Sequence, residues 1–494
     1  MNIFGGKKIA ELEKKVSGLE KLNSGKIRAI YKRAKMYYDS ASTDRTRKDW
    51  RTTRQTPYDA IKTGLDNLIA RSRMAYDNDP YFRGAINSIV NNIVCTGLRP
   101  TPTVMLNNGK KNEIINKALS EGWKRYNDEW DRRGMITFNE SQRLALRTIA
   151  LSGSELTNTV RADKPSLKLI PIAKQMIEPD RLESGRDYQY VTISDNRPHV
   201  QTLHGINVDE YGKAVSYWIK GIDKPIPAKN MHIAFIHERP EQHIGVPWGA
   251  PCLDSIWDIH QLNEDTLIKS RTLADIIWWM KSGTDPWRKD GDKDSDNNRI
   301  VEKLMFLETM EKPEVIKGDD TITESIKPLV KMILQGAFTG LGTSYMTVVK
   351  DMEDINFAAS RNVSLEERRM YRAIQKWFAK SYCQSEWVDY VWWMVFTNQI
   401  PGLTVDRFLK NQHKYVQCWW KAEGWGWVDP LKDAMAEIKM KEAGLKSDRE
   451  ILAGRGIELE DHYRELQEQQ ELNKKYNIEQ KSEQKPEPKN RKEE

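Results

Sequence analysis

The sequence predicts an α+β protein that is mainly helical, and three observations lead there. Ala85, Ile86, Ile89, Val90 and Ile93 recur at the 3.6-residue spacing of a helix with one buried face, opened by Asp79-Pro80 and stopped by Gly97 and Pro100. Between 136 and 250 the pattern changes to β-like runs, SLKLIPI, DYQYVTIS, AVSYWIKG and NMHIAFIHERP, bounded by Gly, Pro, Asn and Asp. Two long helical segments, 252–282 and 322–342, then flank a hydrophilic stretch.

Taken in order, residues 1–25 place Ile9, Leu12, Val16 and Leu19 at helical spacing among Lys and Glu, an amphipathic arm that is marginal alone. The stretch 26–135 reads as helical and basic, and WKRYNDEWDRRG closes it. In 252–282, Leu253, Ile256, Trp257, Ile259 and Leu267 alternate with charge until Gly283 and Pro286. The hydrophilic excursion carries GDKDSDNN and a strand-like Leu304-Met305-Phe306-Leu307. The returning helix has Pro328 near its first turns. Ser364–Cys383 reads as a helix. The Lys/Glu/Gln/Pro-rich tail, 471–494, is expected to be disordered.

With 494 residues the chain can fill more than one core. Its densest apolar runs, Ala274–Met280 and Val391–Phe396, are far shorter than the ~18–20 residues a bilayer needs, and no signal-peptide core precedes them. The expectation is a protein made and kept in cytoplasm. Cys95, Cys252, Cys383 and Cys418 are scattered without a Cys-x-x-Cys pair, which points to reduced thiols rather than disulfides or zinc. The net charge of +7 is too modest for this length to imply nucleic acid by itself. Trp-Trp pairs at 278–279, 392–393 and 419–420 favour large packed surfaces between helices or subunits.

Several short motifs are more specific. RSRMAYDNDPYFRGAINSIVNNIVCTGLRP (71–100), IEPDRLES (177–184), the hairpin-like GINVDEYGKAVSYW (205–218) and IPAKNMHIAFIHERPEQHIGVPWGAP (226–251) follow one another in an order and spacing that resembles the lambda-type family of tailed-phage portal proteins. The resemblance runs over residues 30–460. It implies a portal fold with wing (26–250 and 363–423), first stem helix (251–282), clip (283–321), second stem helix (322–345), tunnel loop (346–362) and crown (424–470). Such portals carry an Asn-Tyr-Ser-Ser-x-Arg-like stretch after the second stem helix, and here Asn356-Phe357-Ala358-Ala359-Ser360-Arg361 keeps the aromatic, one Ser and the Arg.

The chemistry of an enzyme is hard to find. None of the Gly-Lys pairs at Gly6, Gly25, Gly109 and Gly212 is followed by Ser or Thr, so no phosphate loop is present and ATP hydrolysis falls to another protein. His237-Glu238 with His243 lacks the spacing of a helical zinc motif. Asp292, Asp294 and Asp296 begin like a calcium loop, but Asn297 and Lys303 stand where Gly and Glu are needed. No cofactor and no metal is expected.

The resemblance therefore implies a non-enzymatic dodecameric ring at one capsid vertex of the virion, assembled in the host cytoplasm. It would nucleate head assembly, pass double-stranded DNA during packaging and ejection without sequence specificity, and dock the terminase motor, major capsid or scaffold protein and a head–tail connector. Lys350, Asp351, Asn356, Ser360 and Arg361 are the candidate channel-loop residues. Asp290, Asp292, Asp294, Asp296 and Arg299 are the candidates for motor docking, in a stretch (283–324) holding twelve Asp/Glu against seven Lys/Arg. The alternatives are a metal-dependent nucleic-acid-processing enzyme of a phage operon and a helical scaffold or adaptor.

Overall fold

The computed structural model describes residues 52–106, 108–187, 190–191, 200–281, 320–351, 357–425, 430–453 and 459–475. The chain divides into two compact units, Met1–Ala60 and Ile61–Glu494. Helix α1 (Pro57–Lys62) spans the division after Ala60, and at its start the Asp59 N–H donates to Thr56 Oγ1 at 3.1 Å.

Within the second unit α2 (Leu65–Asn78) and α3 (Pro80–Ile93) follow. Asp79 separates them because its carboxylate accepts the Phe82 N–H at 2.6 Å while Pro80 occupies the first helical position, where no N–H is missed. The face anticipated from periodicity, Ala85, Ile86, Ile89, Val90 and Ile93, is buried, and Phe82 joins it. Strand β1 (Arg99–Pro102) leads to α4 (Glu113–Glu129) and α5 (Phe138–Ser152), the latter begun by a reciprocal Thr137–Glu140 capping box. α5 ends at Gly153 with φ +84°, where a Cβ would collide with the Gly245 carbonyl.

The segment after α5 holds a strand that the sequence reading passed over. β2 (Ser154–Arg161) is the centre of a three-stranded antiparallel sheet, flanked by β3 (Ile172–Ile177) and, from further along the chain, Met231–Phe235. Its Ser, Glu, Thr and Asn content hid it, yet Ser154, Glu155, Thr157 and Asn158 are all buried. SLKLIPI, by contrast, is not the strand expected: Pro165–Leu167 forms a 3-10 turn, and pairing begins only at Ile172. A second sheet is a five-stranded meander of β4 (Tyr190–Val191), β5 (Val200–Leu203), β6 (Ile206–Val208), β7 (Ala214–Tyr217) and β8 (Ile226–Pro227). Met231–Phe235 is β9.

The short motifs turn out to be staples. Asp180 of the Pro-Asp-Arg-Leu turn accepts the Arg73 guanidinium at 2.5 Å, and its carbonyl accepts Lys220 Nζ at 2.8 Å. In Arg-Pro-x-Gln, Gln242 Oε1 accepts the Glu238 N–H at 2.9 Å and its amide donates to the Ile244 carbonyl at 2.8 Å, closing the loop on itself. The following Gly245 N–H donates to Ser154 Oγ at 2.8 Å, which docks Gly-Val-Pro-Trp against the start of β2.

Two long helices follow, α6 (Leu253–Lys281) and α7 (Asp320–Leu341), close to the spans the sequence suggested. Then come α8 (Tyr345–Val349), α9 (Phe357–Phe378), a π-helical turn (Ala379–Cys383) and α10 (Gln384–Phe396). The stretch 346–362, expected as loop throughout, is thus helical up to Val349 and again from Phe357. Short helices α11 (Val405–Lys410) and α12 (Gln412–Tyr415) lead to β10 (Cys418–Lys421), which pairs antiparallel with β1. α13 (Pro430–Glu442), α14 (Asp448–Ala453) and α15 (Leu459–Lys475) complete it. Helix α15 runs to Lys475, past the 471 boundary set for the tail. The rest of the tail and the arm 1–25 lie outside the described residues.

One aromatic cluster locks the helices together. Trp123 of α4 lies 5.2 Å from Phe138 of α5 and 5.2 Å and 5.0 Å from Trp387 and Tyr390 of α10, ring centre to ring centre. Burying side chains of this size contributes about 1.5–3 kcal/mol each. Gly122 has to be bare, because a Cβ there would strike the Tyr390 hydroxyl. Among the described residues no helix is long and apolar enough to cross a membrane.

Candidate functional site

The site begins where α6 and α7 pack side by side. Leu253, Ile256 and Ile259 of α6 and Leu334, Ala337, Phe338 and Leu341 of α7 are buried, whereas Leu267, Ile268, Leu329 and Met332 further along are exposed. Each helix is therefore rooted in the core at one end and uncovered towards the other. Pro328 lies inside α7, as its sequence position required.

At the rooted end the chain turns sharply. Gly342 adopts φ +76°, and a Cβ there would run into Met370 of α9. The turn is clamped by Glu367 of α9. Its Oε1 accepts the Ser344 N–H at 2.5 Å and the Thr343 hydroxyl at 3.3 Å, and its Oε2 accepts the Thr347 hydroxyl at 2.7 Å. Ser344 Oγ also caps α8 by accepting the Thr347 N–H at 3.2 Å.

α8 ends at Lys350, whose φ of +58° is left-handed and whose side chain is exposed. Asp351 is pulled back to the second long helix: Lys331 Nζ stands 3.3 Å from its carboxylate, and the Tyr345 hydroxyl donates to it at 3.5 Å. Lys331 also lies 5.5 Å from the centre of the Tyr345 ring. Burial first, and the Asp351 charge next, push the Tyr345 phenol above its usual range.

Of the residues singled out by sequence, Lys350 and Asp351 thus sit together at this loop base. Ser360 and Arg361 are half-buried in the first turns of α9. Asn356 lies outside the described residues, as do Asp290, Asp292, Asp294, Asp296 and Arg299. His237 and His243 are engaged in packing: the His237 ring lies 4.2 Å from that of Phe235, and burial lowers the His243 pKa. Sequence reasoning missed Lys331, Thr343, Ser344, Thr347 and Glu367. Nothing in the sequence pairs Ser344 or Thr347 with Glu367.

A second charged cluster is buried at Lys174 and Glu386 and reaches solvent at Asp389, whose side chain is 39% exposed. Lys174 of β3 meets Glu386 at 3.2 Å and Asp389 at 2.6 Å, both on α10, and donates to Thr159 Oγ1 at 3.0 Å. Trp130 Nε1 donates to the other Glu386 oxygen at 2.9 Å. Burial pulls the Lys174 pKa down, but the two carboxylates outweigh it, so the ammonium is held. Burial raises Glu386, with Lys174 opposing. Nearby Glu155 is pushed up to about 8 by burial, against the Thr157 hydroxyl bond, and His232 is pushed down to about 4, again by burial. This cluster joins β2, β3, β9 and α10, and it works as structure.

The pattern of the phage portal protein, lambda family, matches residues 43–375, from before α1 to the last turn of α9. The chain belongs to that family. A probable portal protein of Halomonas phage phiHAP-1, isolated from the Gulf of Mexico, is 24% identical over 433 residues, covering 82% of this chain and 80% of the relative. Among solved structures, the neck of a native GTA particle computed with C12 symmetry is a distant likeness, with TM-score 0.41 and 11% identity over 79% of this chain and 93% of the other. This is a phage portal protein, and the matched span contains both long helices, the Gly342 turn and the Glu367 clamp.

Proposed function

We propose that this portal chain closes into a dodecameric ring at one capsid vertex and passes duplex DNA without reading its sequence. In that ring α6 and α7 serve as stem, 283–321 as clip, 346–362 as the segment facing the channel, 26–250 and 363–423 as wing, and 424–470 as crown. The observation that carries the reading is the loop base at the root of α7, where an exposed Lys350 follows a turn clamped by Glu367. A ring repeats each such side chain around its axis, so one lysine per subunit becomes a circle of charge. Lys350 and Arg361 flank Asp351, Glu353 and Asp354, a mixture too balanced to grip phosphates. Tight neutralisation would release counterions and hold a moving duplex fast.

The acidic clip, with Asp290, Asp292, Asp294, Asp296 and Arg299, docks the terminase motor on this reading. Capsid or scaffold protein and a head–tail connector meet other faces, and the ring nucleates head assembly before serving packaging and ejection. Negative-stain images of purified protein test it first: rings with a hole near duplex width are expected, and a chain that stays monomeric under every condition sinks the proposal. Lys350→Ala with Arg361→Ala should then lower packaged DNA while rings still form, and deleting 290–298 should weaken capture of the motor.

A further inference from the structure

Beyond Glu367 the chain carries Arg368, Arg369, Arg372, Lys376 and Lys380, with no acidic residue until Glu386. Arg368, Arg372, Lys376 and Lys380 follow at one-turn intervals along α9 and into the π-helical turn, each step a rise of about 6 Å. Arg372, Lys376 and Lys380 are exposed, while Tyr371, Phe378 and Tyr382 on the opposite side enter the core. Arg369 is paired with Glu366 at 3.0 Å. Among the described residues no carboxylate pairs with Arg372, Lys376 or Lys380. Like charges one helical turn apart repel and oppose the helix, so the stripe is unfavourable for the isolated subunit.

The stripe is also held in place. Gln375 donates to the Ile93 carbonyl at 2.9 Å, fixing α9 on α3. The Trp425 indole lies 5.3 Å from the Arg372 guanidinium and 6.0 Å from that of Arg368, and its N–H donates to Asn92 Oδ1 at 3.0 Å. A rigid row of cations with an aromatic face beside it is suited to a regular polyanion. The exposed large apolar side chains nearest in sequence, Val363, Leu365 and Phe396, lie before Glu366 and after Val395, outside the row of cations. Contacts to phosphates need no apolar side chain.

We infer that this face of α9 is a second DNA-contact surface, which binds the phosphate backbone of duplex DNA apart from the loop base at Lys350. The inference rests on the portal reading only for DNA being the partner. Its test is fluorescence anisotropy with a short labelled duplex and assembled protein across a salt series. The variants are Arg372→Ala/Lys376→Ala/Lys380→Ala and the charge-keeping Arg372→Lys/Lys376→Arg/Lys380→Arg.

The alanine variant should bind at least about tenfold more weakly, and its slope of log affinity against log salt should be shallower by about 2.7, at 0.9 for each lost phosphate contact. The charge-keeping variant should retain the wild-type slope, which separates charge from folding. An unchanged slope in the alanine variant, or no duplex binding by the wild type, overturns the inference. Binding of poly-glutamate but not duplex also overturns it, in favour of an acidic protein. Negative-stain images of the same samples keep the two readings apart: rings with an unchanged slope sink this surface alone, and monomers that still show the slope change sink the ring alone.

Discussion

Glu386 and Glu367 stand on one continuous helical run, α9 into α10, yet they do opposite things with the same carboxylate. Glu386 is 1% exposed and faces a lysine that is 2% exposed, so both ions gave up water and depend on each other. Glu367 is half-buried and spends its oxygens on a backbone N–H and two hydroxyls, with Lys331 and Asp351 forming a more solvated pair next to it, 37% and 17% exposed. A desolvated pair is all or nothing, because removing one partner strands the other. A solvated clamp can be loosened in steps. The portal chain thus places its unforgiving contact inside the body and its adjustable one at the root of the segment proposed to face DNA.

Breaking the buried side should have the largest effect. Lys174→Met leaves Glu386 and Asp389 without a counter-charge and should cost about 3–5 kcal/mol, read as a lower urea midpoint, while replacing Lys174 and Glu386 together with apolar residues should recover much of it. Next comes the pH dependence of Glu155. Its folded pKa is raised from 4.5 to about 8, so its stabilising contribution is complete below 4.5 and is lost as pH rises through about 8. Glu155→Gln should flatten the fall in melting temperature across that window, and an equally steep fall in the variant would show the carboxyl titrating elsewhere.

The clamp side is predicted to yield less. Gly342→Ala forces a left-handed alanine against Met370 and should cost about 1–2 kcal/mol, with faster amide exchange from Thr343 to Thr347. Lys331→Ala removes a partly solvated pair worth at most about 1 kcal/mol. It should leave the melting temperature almost unchanged yet speed exchange at Lys350 and Asp351. A large melting shift there would erase the contrast between the two regions.

Periodicity exposed what depended on neighbours in sequence. The α3 face, the Asp79-Pro80 junction and the long helices α6 and α7 are all local patterns. β2 escaped because a strand buried on polar partners does not alternate: Glu155 meets Thr157 on its own strand, but Asn158 and Thr159 are placed by pairing with β3. The Glu367 clamp escaped for a related reason, since its partners lie across the segment it closes. Lys350 was visible by position alone. Its left-handed backbone and the pairing of Asp351 with Lys331 belong to tertiary structure.

The π-helical turn at Ala379–Cys383 constrains how this protein can change. It carries one more residue per turn than the helices on either side, and α10 takes its angular setting from it. Excising a single residue there would let the spiral close into a regular α-helix while α10 keeps nearly its angular setting, because the widened turn is what absorbs the extra residue. A further residue inserted there would instead rotate everything after it by about 100°, swinging Glu386 away from Lys174, and Trp387 and Tyr390 away from Trp123. Shortening by one is therefore tolerated at that spot where lengthening is not, and a library of single-codon insertions should show a gap there.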